Sequence, residues 1–465
     1  MIRMCCRVLA FVGILASGAS LAQGVTLPDA RQVELDNGAV IILHEKRDVP
    51  LVGAEVTLRG GAVSDPEGRA GLASLLAGLL EKGAGDRDAA SFAEAIAAVG
   101  GSLSAAAELE AITISADFMA RDADLMVELL VDMLQRPSLS AKEVTKLRDR
   151  RIDLIRAAKD NDPRRLISTY GNAFLFDGHP YGTPVNGSET SLGKISHREV
   201  QAYYDDYVGA DRLVISVVGD FDADAMASKL SEAFANWRAA KAPLPEIESP
   251  APQSGRRVLL VDKPGATQSY FWIGNVGVGR DYEQRAELDI ANTLFGGRFT
   301  SLLVNELRTK AGLTYGASSS LRRPTKAGSV AIVSYTKTES TIEAIDMSLE
   351  VLAKLRNEGF AEELITSAKN YILGLYAPRL ETSAQLAAQF AALQTYGLDA
   401  SYVNDYGAAV AGAGSESIQS VIMSVYPSPD DLVFVVLGDA ELIRDDVAKY
   451  GPITEMAITD PRFLP

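Results

Sequence analysis

Asn305-Glu-Leu-Arg308-Thr-Lys-Ala-Gly-Leu-Thr-Tyr315-Gly316 places an arginine and a tyrosine seven residues apart across a helix-to-strand corner. Arginine is a permanent cation with a planar fork of donors, suited to carbonyl and carboxylate oxygens. A tyrosine hydroxyl beside it can donate to an oxygen that is gaining charge. Taken alone, such a pair is commonly a surface charge and a packing aromatic. Its surroundings decide the reading.

Working outward, a helix from about Glu283 to Leu294 stops at Gly296-Gly297, and a second from Thr300 to Lys310 stops at Gly312. Strands are expected at Arg257–Val261, Ser269–Ile273, Tyr315–Leu321 and Gly328–Tyr335, followed by helices at about Ser340–Arg356 and Glu362–Tyr376. The first half repeats this order. Strands at Gly38–Glu45 and Leu51–Leu58 lead to a helix from Gly71 to Leu80, whose leucines at 72, 75, 76, 79 and 80 form one apolar stripe. A helix from Ala89 to Val99 stops at Gly100-Gly101. Strands Ser102–Ala107 and Ala111–Ser115 follow, then helices Asp124–Leu134 and Ala141 to about Lys159. The Arg308/Tyr315 corner sits where Ile96 to Ser102 sits in the first half, so internal duplication is the simplest account. The fold class expected is α+β: two similar lobes, each an antiparallel-rich sheet with helices packed on one face.

The domain division follows. Residues 1–22 read as a secretory signal: Arg3 and Arg7, an apolar run Val8–Ala16, and a small-residue cleavage pattern ending at Ala22. Residues 23–240 form the first lobe, the Pro-rich stretch 241–255 an extended connector, and residues 256–465 the second lobe. Both cysteines, Cys5 and Cys6, fall in the signal, which excludes disulfides and thiol chemistry from the rest. A formal charge of −16 argues against nucleic acid. The expected location is periplasmic or secreted, with no membrane span.

Several segments together resemble the insulinase/pitrilysin family of zinc peptidases, in its subgroup with half-length chains. They are Gly60–Leu76, Phe176–Ser188, Tyr203-Tyr204 with Val214–Asp222, and Phe295–Leu303 through Tyr315-Gly316. The resemblance implies an inverted zinc motif, His-x-x-Glu-His, on the first helix, with a further glutamate on a later one. Aligned on Gly71-Leu-Ala, the histidine positions here are Ser74 and Gly78 and the glutamate position is Ala77. No glutamate occurs between Glu143 and Glu189, and Asp149 and Asp153 read as a solvated face. His44, His179 and His197 lie apart, each in a structural role, and no Gly-x-Ser-x-Gly elbow offers other hydrolytic chemistry. Gly187–Ile195 reads as a polar connector rather than a phosphate loop.

What the resemblance retains is Arg308 and Tyr315, the positions that in the family hydrogen-bond the substrate backbone beside the scissile bond. It implies a non-catalytic, substrate-binding subunit that pairs with a homologous zinc-bearing subunit and binds peptide. No metal is expected in this chain, zinc being expected in the partner. The alternative is a structural or assembly protein of the same fold.

Overall fold

The computed structural model describes residues 25–465, so the expected signal segment lies outside the described residues. The strands in chain order are β1 (Arg31–Glu34), β2 (Val40–Glu45), β3 (Leu51–Arg59), a small hairpin β4 (Gly83–Ala84) and β5 (Arg87–Asp88), β6 (Ser102–Ala107), β7 (Ala111–Met119) and β8 (Leu213–Gly219). The second half adds β9 (Arg257–Asp262), β10 (Gln268–Val276), β11 (Ala317–Arg322), β12 (Ser329–Lys337), β13 (Val433–Gly438) and β14 (Ile453–Ala457).

Two six-stranded sheets result, ordered β1-β2-β8-β3-β7-β6 and β14-β9-β13-β10-β12-β11. Five strands correspond one for one. β2 and β9 run parallel to β8 and β13, and the remaining neighbours among these five are antiparallel. Only the outermost strand differs. β1 enters antiparallel to β2, whereas β14, near the carboxyl end, lies parallel to β9. The fold is therefore α+β with two similar, antiparallel-rich lobes.

Alternation along the strands assigns two faces to each sheet. On β2, Ile41 and Leu43 point into the main core of the first lobe, while Val40 and Ile42 point the other way. On β9 and β13, Val258, Leu260, Phe434 and Val436 join the second core, and Leu259, Val261, Val433, Val435 and Leu437 face oppositely. β8 and β13 are buried along their whole length, as strands covered on both faces must be.

The second cover comes from the opposite half in each case. The helix Ser383–Thr395 lies on β3 and β8, packing Leu386, Ala387 and Phe390 onto Val40, Ile42, Val214 and Val218. The helix Ile167–Leu175 lies on β10 and β13. Glycine permits both crossings. A Cβ on Gly53 would lie 2.6 Å from the Ala384 amide nitrogen, and one on Gly171 would lie 2.5 Å from the Trp272 ring. The sequence halves thus exchange a helix, and each packing unit contains residues from both.

The stretch 241–255, expected as an extended connector, has no regular secondary structure, and it and its flanks are strapped down. The Ala240 amide donates to the Asp211 carboxylate at 2.7 Å, the Glu248 carbonyl lies 3.0 Å from the His179 ring, and the Asn275 side chain brackets the Gln253 backbone. Gly187–Ile195 is no plain connector either. It contains a short helix, Glu189–Gly193, capped reciprocally by Ser188 and Ser191.

Candidate functional site

The Arg308 corner is built on irregular helix. Arg285–Asn292 is regular and then widens into a π-helical turn over Thr293–Gly297. Val304–Lys310, expected as ordinary helix, also winds as π-helix. Such widened turns insert a residue and redirect the side chains after it. Gly296 does more than stop a helix. A Cβ there would lie 2.2 Å from the Ser319 amide nitrogen on β11, so the turn presses backbone against the strand.

Leu303 and Leu307 anchor the second π segment in the core and leave Arg308 half-buried at the surface. Its guanidinium lies over the Phe299 ring, 4.6 Å from the centroid. Glu306, two residues away, is engaged by Lys310 at 2.8 Å. Among the described residues no carboxylate pairs with Arg308. The chain then reverses at Gly312 (φ +67°). Thr314 is buried, and its hydroxyl accepts from the Gly316 amide and donates to the Gly316 carbonyl, both at 3.0 Å. Ser334 on β12 donates to the same carbonyl at 2.9 Å. Tyr315, between these pinned neighbours, is 81% exposed, and Phe299 is 71% exposed. Tyr315 does not open the strand, because β11 begins at Ala317. The corner therefore presents two exposed aromatics and an unpaired guanidinium on braced backbone.

The helix Leu72–Leu80 is the opposite case. Leu72, Leu75, Leu76, Leu79 and Leu80 are all buried. Asp65 fixes its start by accepting from the Gly71 and Ala73 amides at 2.7 Å each. Burial nevertheless pushes the Asp65 carboxyl up to about 7, opposed by those backbone bonds. On the face toward the helix Ala141–Asn161, Ser74 is buried and donates to the Asn186 side-chain oxygen at 3.0 Å. The Arg151 guanidinium donates to the Ser74 hydroxyl and, at 2.6 Å, to its carbonyl. A Cβ on Gly78 would lie 2.9 Å from Leu147 and 3.1 Å from the Arg151 guanidinium. Burial lowers the Arg151 pKa to about 10, so it stays charged at neutral pH.

These residues do not fit a zinc ion. One hydroxyl, a methyl and a bare Cα replace the two imidazoles and the carboxylate of the family motif, and a fixed cation stands against them. Asp149 and Asp153 engage Arg148 and Arg156 at the exposed surface of their helix. Among the described residues, no group of three or more His, Cys, Asp or Glu is placed to hold a metal. The three histidines each meet backbone: His44 at the Asp29 carbonyl, His179 at the Glu248 carbonyl and the Tyr181 amide, His197 at the Leu139 carbonyl.

The structure brings forward two residues that the sequence did not mark, Phe299 and Arg151. Phe299 lay within the quoted second-half signature. Arg151 had no signal, being one of four charges in Arg148-Asp-Arg-Arg151.

Comparison with known proteins bears on the family and the fold. Residues 40–187 match the profile described as Insulinase (Peptidase family M16), and residues 194–372 match the one described as Peptidase M16 inactive domain. A protein of Mycobacterium leprae named uncharacterized zinc protease is 29% identical over 333 residues, covering 71% of this chain and 75% of that protein. A Helicobacter pylori protein named non-peptidase homolog is 21% identical over 351 residues, covering 75% and 80%. The crystal structure of a peptidase M16 inactive domain from Pseudomonas fluorescens superposes with a TM-score of 0.81 at 21% identity, over 88% of this chain and 98% of that one. The chain belongs to the insulinase family, peptidase family M16.

Proposed function

We propose that this protein is a non-catalytic subunit of an exported two-subunit zinc peptidase. It would hold the peptide through Arg308 and Tyr315 while a homologous subunit carries the zinc. One contrast carries the reading: the helix that bears metal ligands in zinc-dependent members is filled by Arg151, while the Arg308/Tyr315 corner stays open. An exposed phenol on braced backbone and an unpaired guanidinium on the same corner supply donors to carbonyl oxygens of an extended peptide, and these donors count most where an oxygen gains charge. The zinc belongs to the partner in this reading, and this chain holds none.

The test is co-expression with a homologue bearing His-x-x-Glu-His and measurement of peptide cleavage by the pair. Activity should require both chains. Tyr315→Phe, which keeps the ring and removes the hydroxyl, should lower turnover with little change in assembly. Full activity in a pair carrying Arg308→Ala and Tyr315→Phe would overturn the assigned role.

A further inference from the structure

A cavity of about 670 Å³ opens beside the filled helix, between the two halves of the chain. That volume is in the range of small-molecule and peptide-end sites. Its lining holds three arginines, Arg151, Arg165 and Arg322, and no Asp or Glu. For a protein with a formal charge of −16, this is a local inversion of sign. Leu166, Val185 and Phe463 give it an apolar wall.

The arginines differ in how far they are committed. Arg165 is exposed and engages Asp162 at 3.0 Å. Arg151 is held by Ser74. The guanidinium of Arg322, at the end of β11, has no hydrogen-bond or ion-pair partner among the described residues. Burial holds its guanidinium below its ordinary pKa. Glu110, the carboxylate that acts on it through space, is already taken by the Tyr181 hydroxyl at 2.7 Å and the Thr325 amide at 2.9 Å. A partly buried guanidinium whose nearest carboxylate makes no direct ion pair with it is incompletely compensated, and an anionic ligand offsets that cost. Ser168 and Thr169 add hydroxyls on the same lining.

We infer that this cavity is a carboxylate-binding site that takes the end of a peptide, with the carboxylate against Arg322 and Arg151 and an apolar side chain on the Leu166/Phe463 wall. A carboxylate can come from a chain terminus or from an acidic side chain. The inference does not rest on the two-subunit reading, because binding is measured on this chain alone.

The experiment is fluorescence anisotropy with the purified chain and a labelled pentapeptide ending in leucine, as free acid and as terminal amide. A third peptide carries a terminal amide and glutamate in last place. The free acid should bind at least tenfold tighter than the leucine amide. Binding of the glutamate amide at the level of the free acid would assign the carboxylate to a side chain and uphold the class. Arg322→Gln should weaken the free acid at least tenfold and leave the leucine amide unchanged, and Arg322→Lys should recover part of the loss. Should Arg322→Gln fail to fold, Ser168→Glu at the exposed rim is expected to weaken the free acid similarly. Equal binding of acid and amide, or displacement by inorganic phosphate at lower concentration than by the free acid, would overturn the proposal.

Discussion

The helix Leu72–Leu80 and the corner around Arg308 occupy neighbouring places in two lobes of one design, yet they have diverged in opposite directions. In the first, a small-residue face is sealed by Leu147 and the Arg151 guanidinium, and the hydroxyl and carbonyl of Ser74 are spoken for. In the second, backbone is braced by Thr314, Ser334 and two π-helical turns so that Tyr315 and Phe299 stand in solvent. A buried cleft left without its ligands collapses onto new packing. An exposed one persists only while its scaffold stays stiff. The contrast marks where this chain has stopped presenting chemistry and where it still offers donors.

Four changes break or sharpen that contrast. The largest effect is expected from Arg308→Ala with Tyr315→Phe, which should cost the assembled pair roughly 3–4 kcal/mol in transition-state stabilisation, about 10²–10³ in turnover. Melting temperature should stay nearly constant, since neither side chain belongs to the buried core. Next is Gly78→His, which drives a ring into Leu147 and Arg151. It should lower unfolding free energy by about 1–3 kcal/mol, read from denaturant titration, without creating zinc affinity.

The third tests the covered face of the first sheet. Glu55 shares its face of β3 with Gly53, and burial pushes its carboxyl up to about 7, despite a hydrogen bond from Ser115. The folded state therefore binds this proton more tightly than the unfolded chain does. Stability should fall as pH rises from about 4.5 to 7, by about 2 kcal/mol after screening. Glu55→Gln should flatten melting curves across that window. The smallest effect belongs to Phe299→Ala. Loss of the stack should release Arg308 and weaken peptide affinity of the pair by about 0.5–1 kcal/mol with no change in melting.

The sequence disclosed what repeats at short range. The leucine stripe from 72 to 80 and the strand pairs β6–β7 and β11–β12 carry their periodicity within one element or one turn. β7 and β10 run on past their expected ends because cross-strand partners, such as Leu51 with Met119, extend them. β1 was not marked: Arg-Gln-Val-Glu has no apolar alternation, and it is an edge strand held by pairing with β2. The helices Ile167–Leu175 and Ser383–Thr395 were missed for a different reason. Their apolar residues meet a sheet from the other half of the chain, and no local window contains both partners. At the candidate site, Arg308 and Tyr315 stood out through resemblance, and their exposure is what the structure adds. Arg151 was illegible because its meaning depends on Ser74, far away along the chain.

The interchanged helices also limit how the molecule can move. Swinging one half away from the other would uncover Trp272 and strip Leu386 and Phe390 from their seats, an outlay of several large side chains in water. Cutting the strap between residues 241 and 255 should accordingly leave both fragments co-migrating on size exclusion. In the two-subunit assembly proposed above, any hinge would therefore lie at the joint between polypeptides, with this one travelling as a single jaw.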